Sequence, residues 1–164
     1  MMRKLADRAI FAVYSTVMLW LLFHRSMPDT AAPSFSYWSW VAENINLQPL
    51  HTIRLFWNVL AAPQGYIDRM GLAWYEANRQ HAIINLGGNV LLFLPLGFLL
   101  PRIWNALQRL WGTLLTAALI MTAVEITQVL TLRGNCDIDD LMLNLLGAAI
   151  GYGLFQLIRS HKKT

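Results

Sequence analysis

Four stretches of this chain run without a charged residue for longer than a water-exposed surface tolerates. Ala9 to Phe23 spans 15 residues, Ala82 to Leu100 spans 19, Leu110 to Val124 spans 15 and Leu141 to Ile158 spans 18. A bilayer core takes about 20 helical residues, so the second and fourth stretches qualify directly. The first reaches that length by extending toward Leu5 past Asp7 and Arg8, and the third by taking in Glu125 and running to Leu132. Composition agrees: 56% of residues are hydrophobic and only 13% charged, about half the charge of a soluble domain. The expected fold class is therefore all-α. The chain reads as a single polytopic membrane domain over 1–164, a four-transmembrane-helix bundle with helices at about 5–24, 82–102, 110–132 and 140–158 and an extracytoplasmic connection over 25–81.

Arg3 and Lys4 precede the first apolar run as they would in a secretory signal. His24 and Arg25 follow it where a signal peptide would carry small residues for cleavage, so an uncleaved anchor is expected. Cys136 is the single cysteine and allows no internal disulfide; it reads as a small loop residue rather than a nucleophile.

Orientation follows from the 13 Lys and Arg residues. Arg3, Lys4, Arg8, Arg102, Arg109, Arg159, Lys162 and Lys163 fall on one side, against Arg25, Arg54, Arg69, Arg79 and Arg133 on the other, although the second side holds more of the chain. The positive-inside rule then puts both termini in the cytoplasm. The net charge of +4 is accounted for by topology, with no call for nucleic acid as a partner. Most acids, including Asp137, Asp139 and Asp140, lie on the extracytoplasmic side.

The connection over 25–81 is broken by Pro28, Pro33, Pro49 and Pro63 and carries Tyr37, Trp38, Trp40, Trp57, Tyr66, Trp74 and Tyr75. Such rings favour the headgroup region, so the connection is expected to lie on the lipid bilayer. Leu50 to Ala62, with Arg54 as its only charge, is too short to cross and reads as an interfacial or re-entrant helix ended by Pro63. Pro95 inside the second span removes the partner of the Leu91 carbonyl and sets a kink near Gly97.

On a helix, Asp140, Asn144, Gly147 and Gly151 fall within roughly 60° of one another, a polar-then-small stripe whose GxxxG pair lets another backbone come close. Glu125 and Gln128 share a face of the third span, and Asn85 and Asn89 share a face of the second. A carboxyl group within a span costs about 2.5 to 3.5 kcal/mol on insertion scales, so it turns toward protein and finds a partner or a task. With alternating helix directions these groups share one depth and ring a polar recess at the outer leaflet, with Arg133, Asp137 and Asp139 as its lid. Taken singly, the amides could be interhelical glue, Glu125 could pair with Arg133, and the aspartates could cap a helix start. Oxygen-rich groups of this kind could also hold a hard divalent cation, although no cofactor is evident and the four histidines show no ligand spacing. No pattern asks for a nucleophilic enzyme.

Three runs resemble the VanZ-like family of bacterial membrane proteins, named for a teicoplanin-resistance factor. They are Asn46-Leu47-Gln48-Pro49, then Asn89-Val90-Leu91-Leu92-Phe93-Leu94-Pro95-Leu96-Gly97, then Glu125 and Gln128 followed by Arg133, Asp137, Asp139, Asp140, Asn144 and Gly147 in register. Cys136 stands where the family usually has an aromatic or large residue. The resemblance implies a bacterial cell-membrane (cytoplasmic membrane) protein linked to glycopeptide resistance, and it adds Asn46 to the functional polar cluster. A non-catalytic role is preferred, binding an amphiphilic or lipid-linked envelope ligand such as a lipoglycopeptide or a wall precursor. The alternatives are a cation-dependent envelope enzyme acting on a lipid headgroup, and an accessory membrane subunit that packs on a larger partner through its GxxxG face.

Overall fold

The computed structural model describes residues 2–24, 30 and 36–161. Arg25, Pro28, Pro33, Lys162 and Lys163, used above for orientation and for the connection, lie outside them. The described residues form seven α-helices: α1 Met2–Phe23, α2 Tyr37–Glu43, α3 His51–Ala61, α4 Pro63–Met70, α5 Leu72–Ile103, α6 Leu110–Leu130 and α7 Ile138–His161. A 3-10 turn at Asn105–Leu107 joins α5 to α6. The extended pairs β1 Ile45–Asn46 and β2 Cys136–Asp137 bridge in parallel, Ile45 opposite Cys136 and Asn46 opposite Asp137. Helices α1, α5, α6 and α7 are long and apolar enough to cross a bilayer.

Helix α5 begins ten residues before the apolar stretch that starts at Ala82, and with 32 residues it is about 48 Å long. Ala73, Glu76, Ala77, Arg79 and Gln80 are good helix formers, so the helix continues beyond the length a bilayer needs. Hydropathy marks where the span starts, but it does not mark where the helix does. The helix also passes through Pro95 and Pro101 without interruption. One residue beyond the Leu91 carbonyl that Pro95 leaves without its ladder partner, the Tyr14 hydroxyl of α1 donates to the Leu92 carbonyl at 2.6 Å and ties α1 to this part of α5.

The closest helix pair is α5 with α7, and glycine sets its spacing. A Cβ on Gly147 would stand 2.1 Å from the Val90 carbonyl oxygen, one on Gly151 2.0 Å from that of Leu94, and one on Gly97 1.9 Å from that of Ala148. The GxxxG face is thus filled within the chain by α5, and it is not left for a larger partner. Around this pair Met18, Leu22, Phe93, Leu96, Leu100, Met121 and Ala148 form the core. At one end of the bundle Arg102 donates to Asp7 at 2.6 Å, which explains how an acid is tolerated inside the first span.

Replacing Gly151 by alanine is expected to push α5 and α7 apart and cost about 1–3 kcal/mol or more. Gly153→Ala, with nothing within 4 Å of its new Cβ, serves as the matched control. Thermal unfolding in detergent should show a clear loss for the first and none for the second; equal midpoints would contradict the close-approach account.

Candidate functional site

Polar groups collect where α7 begins, because four helix ends meet there and each leaves backbone groups without intrahelical partners. Helix α3 starts after Leu50, a residue that has no side-chain oxygen to cap it and that holds a left-handed φ of 63°. Asp139 of α7 does the capping instead: its Oδ1 accepts the Leu50 N–H at 2.6 Å and its Oδ2 the Ile53 N–H at 3.1 Å. Asp139 is fully buried. Asp137 caps α7 in turn, accepting the Asp139 N–H at 2.8 Å through Oδ1, while its Oδ2 accepts the Thr52 hydroxyl at 2.6 Å and the Asn46 amide at 3.2 Å. Asn46 Oδ1 accepts the Gln48 N–H at 3.1 Å. The two-residue bridge is continued by the Cys136 N–H, which donates to the Asn44 carbonyl at 2.8 Å.

The other helix ends are closed by the same region. Helix α6 ends in a pair of bonds from Arg133 N–H to the Gln128 carbonyl and from Leu132 N–H to the Val129 carbonyl, at 2.8 and 3.2 Å. This is a Schellman motif, with Leu132 at φ 58° in the place that glycine usually holds. Tyr37 of α2 donates to the Leu130 carbonyl at 2.9 Å. The last turn of α1 receives Gln128 Nε2 on the Leu22 carbonyl at 2.6 Å and Arg133 Nη1 on the Phe23 carbonyl at 3.2 Å. A cation on a helix C-terminus is favourable by about 0.3–1 kcal/mol.

Between α5 and α7 lies a second group. Asp140 Oδ1 accepts the amides of Asn89 at 2.6 Å and Asn85 at 3.1 Å. One turn further along α7, Asn144 is 1% exposed, and neither of its amide atoms has a hydrogen-bond partner among the described residues; the same holds for Asn85 Oδ1. Glu125 is buried on α6 and accepts the Asp137 N–H at 3.3 Å.

The expected cluster therefore divides. Asn85, Asn89, Asp140 and Asn144 share the α5–α7 seam, and Asn46, Glu125, Asp137 and Asp139 join the connection to the start of α7. Gln128 and Arg133 are drawn off to the end of α1 rather than into a recess. Asp139 is no lid, since it sits buried in the first turn of α7. Among the described residues no three His, Cys, Asp or Glu side chains converge as a metal site, and all four histidines are exposed. Sequence reasoning missed Thr52, Tyr37 and Leu50. Only Thr52 carried a usable signal, as a hydroxyl in the first turn of an otherwise apolar helix.

Four spans with polar side chains held inside them define a polytopic all-α membrane protein. The family model described as VanZ/LLP1 matches residues 11–159, and the chain belongs to that family. No curated protein and no solved structure matches it.

Cys136, half-buried beside this cluster, has its thiol pKa raised by burial first and then by the charges of Glu125 and Asp137. A raised pKa means less thiolate at a given pH, so the maleimide alkylation profile should rise at higher pH than that of the same cysteine in unfolded protein. Glu125→Gln should move the profile back toward lower pH; a profile that coincides with the unfolded reference would contradict this electrostatic picture.

Proposed function

We propose that the α5–α7 seam binds the polar head of an amphiphilic envelope ligand at the outer leaflet of the bacterial cell membrane, in a chain whose two termini face the cytoplasm. The observation that carries this reading is Asn144, buried with neither amide atom partnered among the described residues, on the same seam as Asn85, whose Oδ1 likewise has no partner among them. A buried amide without partners costs about 1–3 kcal/mol per group, a cost that a ligand bearing hydroxyl and amide groups would offset. Sugar and peptide groups carry both, as in a lipoglycopeptide such as teicoplanin or in a lipid-linked wall precursor. The lipid tail would lie along exposed apolar positions of the same two helices, such as Leu91 and Leu146. Holding such a molecule at the membrane lowers the amount of drug acting at the surface, or alters presentation of the precursor, and either links the chain to glycopeptide resistance without catalysis.

Asn144→Leu separates this reading from a packing role. If the amide is kept for a ligand, the variant should unfold at the same or a higher temperature than the parent, because the unpaired group is gone. It should also lose the thermal shift that teicoplanin or the wall precursor gives the parent protein in nanodiscs. A variant that unfolds earlier yet keeps the full ligand shift would assign Asn144 to packing and remove the support for the seam as a binding site.

A further inference from the structure

At the end of the bundle opposite the polar cluster, α1, α5, α7 and the turn after α5 enclose a pocket of about 280 Å³. Arg102 lies about 20 Å along α5 from Asn89, and Arg159 about 22 Å along α7 from Asn144, so this pocket and the α5–α7 seam face different leaflets. Its charge is unbalanced, since Lys4, Arg102 and Arg159 line it with Asp7 as the one carboxyl group. Asp7 is already taken by Arg102 at 2.6 Å. The Arg102 Nε–H is buried and has no partner among the described residues. The walls are apolar and hold the cations in place: the Arg102 guanidinium lies 5.0 Å from the Phe98 ring centroid, and that of Arg159 lies 5.9 Å from the Phe155 centroid.

We infer that this pocket binds a phosphate-bearing anion, drawn from a lipid headgroup of the surrounding leaflet or from phosphate in solution. Two positive charges remain after the Asp7–Arg102 pair is made, from Lys4 and Arg159, and phosphate carries one or two negative charges. Arginine presents a planar fork of donors that suits phosphate oxygens, and its stacking on an aromatic face leaves that fork ordered. Basic pockets between membrane helices are a recurrent way of holding anionic headgroups, whose acyl chains then run along the apolar helix surface. Ile158, exposed on the pocket rim, provides such a surface here. The site is independent of the outer seam and stands or falls separately from it.

The test uses the full chain in detergent, titrated with short-chain phosphatidylglycerol, short-chain phosphatidylcholine or inorganic phosphate and read by native mass spectrometry and thermal shift. Lys4→Gln and Arg159→Gln leave the Asp7–Arg102 pair intact. Each should weaken phosphatidylglycerol binding about five-fold, and the pair together about 25-fold. Arg159→Lys should recover most of the loss, and Arg69→Gln, outside the pocket, should change nothing. If inorganic phosphate stabilises the protein with the same dependence on Lys4 and Arg159 and displaces phosphatidylglycerol, the source is phosphate in solution. If only the lipid binds, the source is the headgroup. The inference is overturned if phosphatidylcholine binds as well as phosphatidylglycerol, if neither phosphate source binds, or if the double variant retains wild-type affinity.

Discussion

The fold depends on two carboxyl groups at the start of α7. Helix α3 begins at a leucine that cannot cap it and that is held in a left-handed conformation, an arrangement that needs an acceptor from elsewhere in the chain. Asp139 is that acceptor, and it is itself positioned because Asp137 fixes the first turn of α7. Asp137 also takes the hydroxyl of Thr52 and the amide of Asn46, so a single turn of helix gathers the connection onto the bundle. Hydrogen bonds to charged groups contribute about 1.5–3 kcal/mol each, more than single amide contacts between membrane helices, which average about 0.6 kcal/mol. Polar residues in this part of the chain are therefore first a means of closing helix ends in a medium that offers little water.

Against that background the α5–α7 seam stands apart. Gly97, Gly147 and Gly151 bring the two backbones together, which fixes Asp140 opposite Asn85 and Asn89 and leaves Asn144 one turn deeper. Every other buried polar side chain named in the cluster has a partner, and Asn144 has none among the described residues. The contrast between aspartates used to close helix ends and one amide without a partner among the described residues is what supports the proposed binding role. At the other end of the bundle the unbalanced cations around Asp7 form a second departure from full pairing.

Much of this was legible in the sequence, for identifiable reasons. Uncharged runs of 15 to 19 residues located the four spans, and i, i+4 spacing placed Asn85 with Asn89 and Asp140 with Asn144 on common faces. The GxxxG pair marked the tight helix contact, and the ordered run from Glu125 to Gly147 carried the family. Three things stayed hidden. The polar start of α5 looks like loop because hydropathy is silent about helix outside the bilayer. Gln128 and Arg133 share a helix face and a loop with the cluster, yet their partners are carbonyls more than 100 residues away at the end of α1. Asp139 reads as part of a lid or as a cap on its own helix, because its partners are two backbone N–H groups at the start of α3, which have no signature in side-chain sequence.

The most direct measurement is amide hydrogen exchange on Asp139→Ala compared with the parent protein in nanodiscs. The account predicts that protection at residues 50–53 collapses while protection over the α5 core at residues 93–100 is retained, because α3 loses its cap and the spans do not. Unchanged protection at Leu50 and Ile53 in the variant would contradict it.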